Sequence, residues 1–224
     1  MRNAAAVRKS HENAKTRNPH VGFVLSWFRG LSLVPLVLAA ACTSRPPDNP
    51  KDYPARIQSG RSAKDSALGS SDDPIPKASH PAFLPLAYFP IDPDYNVPAA
   101  LKPSTDRTVV EIPLSVGGAD PFRRAGMLEF VLKGQPLKLT AFVAAGAKSD
   151  DRLFVPFGDL TNGAETYAAG RFLDLDRTGN NVYELDFNKA YFPYCYYSPS
   201  YACPIPPAEN RLKVPIRAGE RMKS

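Results

Sequence analysis

Histidine is almost missing from the folded part of this 224-residue chain, which has only three: His11, His20 and His80. None falls within the strand-rich region that begins near residue 107, so a serine-histidine or cysteine-histidine hydrolase and an imidazole-built zinc site are both disfavoured. Cysteine is equally scarce, with Cys42, Cys195 and Cys203 its only occurrences. The chain also has no P-loop, no dinucleotide-binding GxGxxG, no HExxH and no EF-hand loop. No metal and no cofactor are therefore expected. A clustered basic face is missing too. The formal charge is +6, but residues 1–42 carry Arg2, Arg8, Lys9, Lys15, Arg17 and Arg29 against Glu12, and the remainder is close to neutral. That balance gives no electrostatic footprint for nucleic acid.

What is present begins with an export signal. Leu31–Ala41 reads LSLVPLVLAAA, an apolar run preceded by basic residues and ended by small ones. It is too short to span a bilayer comfortably and has the form of a signal-peptide core. The residue that follows is Cys42, and Leu38-Ala39-Ala40-Ala41-Cys42 resembles the lipobox of bacterial lipoproteins. The resemblance implies that residues 1–41 are removed and that Cys42 is lipidated, anchoring the chain to a membrane. An ordinary cleavable signal is the competing reading. Thr43 replaces the aspartate that usually holds lipoproteins at the inner membrane, which points to the cell envelope and, in a diderm host, to the periplasmic side of the outer membrane.

Residues 42–80 are rich in Pro, Ser and Gly with few large apolar residues, and the expectation is a disordered tether. Ordered sequence is expected over 81–224. Pro90, Pro93 and Pro98 prevent a helix near its start, so an extended segment on the domain edge is expected there. Arg107–Val116 reads as a strand, and Gly126–Leu132 and Pro136–Ala144 flank Lys133-Gly134-Gln135 as a hairpin. Further strands are expected in LFVPF, in TYAAGRFLDLD, in VYELDF and in the closing RLKVPIRAG. In VYELDF, Tyr183, Leu185 and Phe187 alternate with Val182, Glu184 and Asp186, the mark of a strand with one buried face. No helical periodicity stands out after residue 42. The fold class is all-β: an antiparallel meander forming a sandwich or a curled half-barrel.

Candidate site residues lie in the last third. Glu165, Tyr167, Arg171, Asp186, Asn188 and Tyr191 form a polar set, with Asp159 and Thr166 nearby in sequence. Arg171 is suited to grip a carboxylate or phosphate, and Glu165 with Asp186 to act as a carboxylate pair. The structural alternative pairs Arg171 with Asp186 across neighbouring strands, with Asn188 capping a turn. Tyr191, Tyr194, Tyr196, Tyr197 and Tyr201 either line an aromatic groove or pack a proline-rich loop onto the sheet. Cys195 and Cys203 form an even pair once Cys42 is set aside, and an oxidising compartment favours a disulfide between them, with two free buried cysteines, and then a two-thiolate metal site, as the competing readings.

With those residues read, LFVPFGDLTNGAETYAAGRFLDLD, LDFNKAY and CPIPPAENRLKVPIRAGE together resemble the DUF1684 family of bacterial proteins, over about Tyr88 to Met222. Relatives read YNPPC where this chain has Tyr191-Phe192-Pro193-Tyr194-Cys195, so Phe192 stands at an asparagine position. Many relatives also carry a longer upstream portion, so either the fold is complete without it or a partner supplies the edge. The family name implies no activity. The reading is a cell-envelope lipoprotein whose β domain is a binding or assembly module for an envelope protein or a small polar ligand. The alternative is a hydrolase or lyase using carboxylates and Arg171.

The anchor gives the first testable outcome. Cys42→Ala, or globomycin treatment, leaves an unprocessed precursor without lipid; normal processing of Cys42→Ala would assign the signal to ordinary signal peptidase.

Overall fold

The computed structural model describes residues 52–70, 75–106 and 108–223. The signal, Cys42 and the first part of the expected tether lie outside the described residues. Seven strands form one antiparallel sheet: β1 (Asn96–Pro103), β2 (Val109–Pro113), β3 (Ala119–Leu132), β4 (Gln135–Ala144), β5 (Arg152–Phe157), β6 (Arg171–Asp176) and β7 (Val182–Asp186). They run in the order β6-β5-β4-β3-β1-β7, with β2 added to β3. The sheet curls into a nearly closed half-barrel, and just past β7 the chain returns to β6 through an antiparallel bridge between Phe172 and Tyr191.

The β3-β4 hairpin turns at Lys133 and Gly134, both with positive φ (48° and 79°), the geometry in which a two-residue turn follows the twist of its strands. Alternation then sorts side chains between the two sheet faces. Leu128, Phe130 and Leu132 of β3, Leu139, Ala141 and Val143 of β4, and Leu153, Val155 and Phe157 of β5 share the concave core with Leu173, Leu175, Tyr183 and Leu185. Tyr183, Leu185 and Phe187 are buried as expected. The intervening positions place Phe122 and Phe142, with Phe154 packed beside them, in a second, smaller cluster on the opposite face.

Three expectations differ from the structure. The proline-rich segment near residue 98 is not at the edge: β1 lies between β3 and β7. Pro98 is tolerated because its pairing is with β7 alone, the β3 ladder starting at Ala99. RLKVPIRAG forms no strand and instead wraps the domain as irregular chain. Most notably, residues within the expected tether form α1 (Tyr53–Leu68), with Tyr53, Ile57, Arg61 and Leu68 buried. At 100° per residue these four occupy an arc of about 80°. The face was concealed because an arginine occupies one of its inward positions and only three large apolar residues mark the rest.

Helix α1 is fastened along its length. Tyr53 donates to Asp186 at 2.9 Å, Arg61 to the Phe89 carbonyl at 3.0 Å, and the Leu86 amide donates to Asp65 at 2.9 Å. Lys64 pairs with buried Glu220. Ile57→Asp therefore releases the helix: trypsin cleavage after Arg56 or Arg61 accelerates at least tenfold while residues 81–223 resist, as read by mass spectrometry. Unchanged cleavage would mean that this face does not hold α1.

Candidate functional site

Arg171 is fully buried at the start of β6, with both terminal nitrogens engaged by structural partners and Nε left without one. Its Nη2 pairs with Asp159 at 2.9 Å and donates to the Ile216 carbonyl at 2.6 Å. Its Nη1 donates to the carbonyls of Ala218 and Glu220 at 2.5 and 3.1 Å. Asp159 also accepts from the Thr161 amide and hydroxyl and from the Ile216 amide. Burial pulls the Arg171 guanidinium down from its ordinary value, and Asp159 opposes that shift. The expected cross-strand partner, Asp186, is engaged elsewhere.

Asp186 accepts from the Tyr53 hydroxyl and from the Asn188 amide at 3.0 Å. Asn188 donates to the Tyr53 hydroxyl and to the Asp92 carbonyl, each at 2.8 Å. Burial, then Asp186, raises the Tyr53 phenol far above its usual value. Asp186 and Asn188 thus clamp the start of α1. Glu165 pairs with Arg217 at 2.8 Å on the surface, so it forms no carboxylate dyad with Asp186. Tyr167 packs against Phe192 and Tyr196, and burial with Cys195 nearby pushes its phenol up to about 12. Cys195 and Cys203 are free thiols, not the expected disulfide. The Cys203 sulfur is taken up instead as acceptor for the Cys195 amide at 3.0 Å, and burial pushes its thiol up to about 12.

The open space lies elsewhere. A cavity of about 970 Å³ sits on the sheet face opposite the main core, between α1 and the loop that follows β7. Phe154, Phe172, Tyr191, Tyr194 and Tyr201 give it an aromatic wall, and Arg56, Ile57, Gly60, Arg61 and Lys64 form one side from a single face of α1. Asn188 and Tyr191 are the two expected site residues on this wall. The Tyr191 hydroxyl donates to Asp174 at 2.7 Å, and burial raises that phenol strongly, reinforced by Asp174.

Most charges on the wall are compensated. Arg152 lies 3.1 Å from Asp174, Arg56 and Lys189 lie 3.6 and 3.8 Å from Glu184, and Lys64 pairs with Glu220. Glu220 also accepts from the Phe192 amide and the Tyr197 hydroxyl. Arg61 differs. Its Nη1 bonds the Phe89 carbonyl and its guanidinium lies 4.4 Å over the Tyr88 ring, but Nε and Nη2 are buried without a hydrogen-bond partner. The Tyr88 hydroxyl is likewise buried and unpartnered. Each such donor costs about 1–3 kcal/mol. Sequence reading missed Arg61, Lys64 and Glu220. The four-residue spacing of Tyr53, Ile57 and Arg61 was the signal for the first two; nothing local marks Glu220.

A curled antiparallel half-barrel with a ligand-sized aromatic cavity defines the class. The chain belongs to the family described as protein of unknown function (DUF1684), whose model matches residues 81–221. It is also similar to the solution NMR structure of the uncharacterized protein from gene locus rrnAC0354 of Haloarcula marismortui, at 35% identity and a TM-score of 0.61. That likeness covers 76% of this chain and 95% of the other. No curated protein matches. Helix α1 precedes the matched region, so the cavity joins the family domain to an element outside it.

Arg171→Met tests the buried hub. It strands Asp159 and three carbonyls, and a loss of about 3–5 kcal/mol in urea unfolding is expected. A loss below 1 kcal/mol would show that the C-terminal segment is held by other contacts.

Proposed function

We propose that this protein is a lipid-anchored component of the cell envelope whose β domain binds a small ligand in the cavity beside α1. The observation that carries the binding role is the cavity itself. Its volume falls within the range of ligand pockets, and its wall combines aromatic surface with a few fixed polar groups. The polar residues first suggested for catalysis support the same reading, since Arg171, Asp186 and Glu165 are each committed to internal partners. The envelope location rests on the Leu31–Ala41 run and Cys42.

Gly60 gives the test, because a Cβ at this cavity-lining position meets nothing within 4 Å. Gly60→Phe projects a ring into the cavity from the helix side, with open space around its Cβ. The purified full chain is expected to bind the neutral fluorescent probe N-phenyl-1-naphthylamine saturably at one site. Gly60→Phe abolishes that binding, while Leu160→Ser, at an exposed position away from the cavity, leaves it unchanged. Absence of saturable binding, or binding indifferent to Gly60→Phe, would overturn the reading.

A further inference from the structure

Resting on that binding role, we infer that the cavity takes an amphiphilic monocarboxylate, its carboxylate held by Arg61 and Tyr88 and its apolar body laid against Phe154 and Phe172. Three observations converge on this class. The first is charge. On the cavity wall Arg56, Lys64, Arg152 and Lys189 each have a carboxylate within 4.0 Å, whereas no carboxylate among the described residues lies within that distance of Arg61. Counting Asp186, which lies 3.4 Å from Lys189, these five cations meet four carboxylates, and the excess of one positive charge matches one negative charge on a ligand. A dianion would also face Asp174, Glu184 and Glu220 on the same wall.

The second observation is the set of donors. Nε and Nη2 form one edge of the guanidinium fork, the pair that meets both oxygens of a carboxylate, and both are buried without a partner. Nη1 bonds the Phe89 carbonyl and the guanidinium lies 4.4 Å over the Tyr88 ring, contacts that a carboxylate would replace on binding. The Tyr88 hydroxyl is a further donor in the same place with no partner. All three atoms are covered, so contact with a ligand goes through a change of rotamer in the long Arg61 side chain, whose aliphatic torsions have three staggered wells each. Burial also pulls the Arg61 guanidinium down from its ordinary value, an effect that a bound anion reverses.

The third is the remainder of the wall. Phe154 packs edge-on against Phe172 at 4.8 Å and stacks on Phe122 at 5.5 Å, while Tyr194 and Tyr201 pair at 5.4 Å. Such a surface favours an acyl or aromatic body over a sugar phosphate or a free inorganic anion. Arg61 and Tyr88 also border a shallower depression of about 580 Å³ beside Gln58 and Pro90, which lacks these phenylalanines.

Calorimetric titration of the purified full chain with matched pairs tests the assignment: decanoate against decanol, and 3-phenylpropionate against 3-phenylpropanol. At least one acid is expected to bind ten times more tightly than its alcohol. A preference for decanoate assigns an acyl body, and one for phenylpropionate an aromatic body. Arg61→Met removes the acid preference and leaves alcohol affinity within about twofold, and Tyr88→Phe weakens the acid about threefold or more. Gly60→Phe abolishes both members of the preferred pair. Equal affinity for acid and alcohol overturns this inference while leaving the binding role standing. Binding of neither class, with no probe binding, removes both. Acid binding that survives Gly60→Phe moves the site to the shallow depression, and tighter binding of inorganic phosphate overturns the carboxylate assignment.

Discussion

The guanidinium of Arg171 determines where the end of the chain goes. It meets Asp159 on one side and the carbonyls of Ile216, Ala218 and Glu220 on the other, so a segment without strand structure is held inside the domain. A buried charge is tolerated only when paired and hydrogen-bonded, and here the partners that neutralise it are also those that fix the wrap. Gly219 makes the close approach possible. Its φ is +78°, and a Cβ there would lie 2.5 Å from the Ala190 carbonyl oxygen and 2.7 Å from that of Phe187. The wrap then carries the Glu220 carboxylate to Lys64, Phe192 and Tyr197.

Through Glu220 the constraint reaches the cavity. One carboxylate joins α1, the loop after β7 and the C-terminal segment, three pieces of chain distant in sequence. Tyr53, Asp186 and Asn188 make a second such junction at the start of the helix. The cavity between these junctions is bounded by elements that the sheet alone would not bring together. Its aromatic wall comes from the sheet and loop, whereas Arg61, which has no carboxylate within 4.0 Å among the described residues, comes from the helix.

The strands were legible where side-chain alternation and turn chemistry are local facts. Lys133-Gly134 marked the hairpin, and Tyr183, Leu185 and Phe187 marked the buried face of β7. Helix α1 was not legible, because Arg61 takes an inward position that pattern reading assigns to apolar side chains. Arg171 was recognised as notable but given the wrong partner. Asp159 lies just beyond β5 in a turn, and a cross-strand argument considers only residues within strands. Asp186 looked available for catalysis because its real partner, Tyr53, is more than a hundred residues earlier in the chain. The free Cys195 and Cys203 show the same limit, since parity and compartment say nothing of how a sulfur is turned.

Helix α1 begins at Tyr53, and this sets a leash. If Cys42 carries the proposed lipid, ten residues separate it from residue 53, a span of at most about 35 Å for a fully extended chain. The first turn of the helix, and with it the cavity wall that starts at Arg56, would stay within roughly that distance of the proposed membrane anchor. On the proposed function, the cavity would then lie in the layer of water next to the membrane.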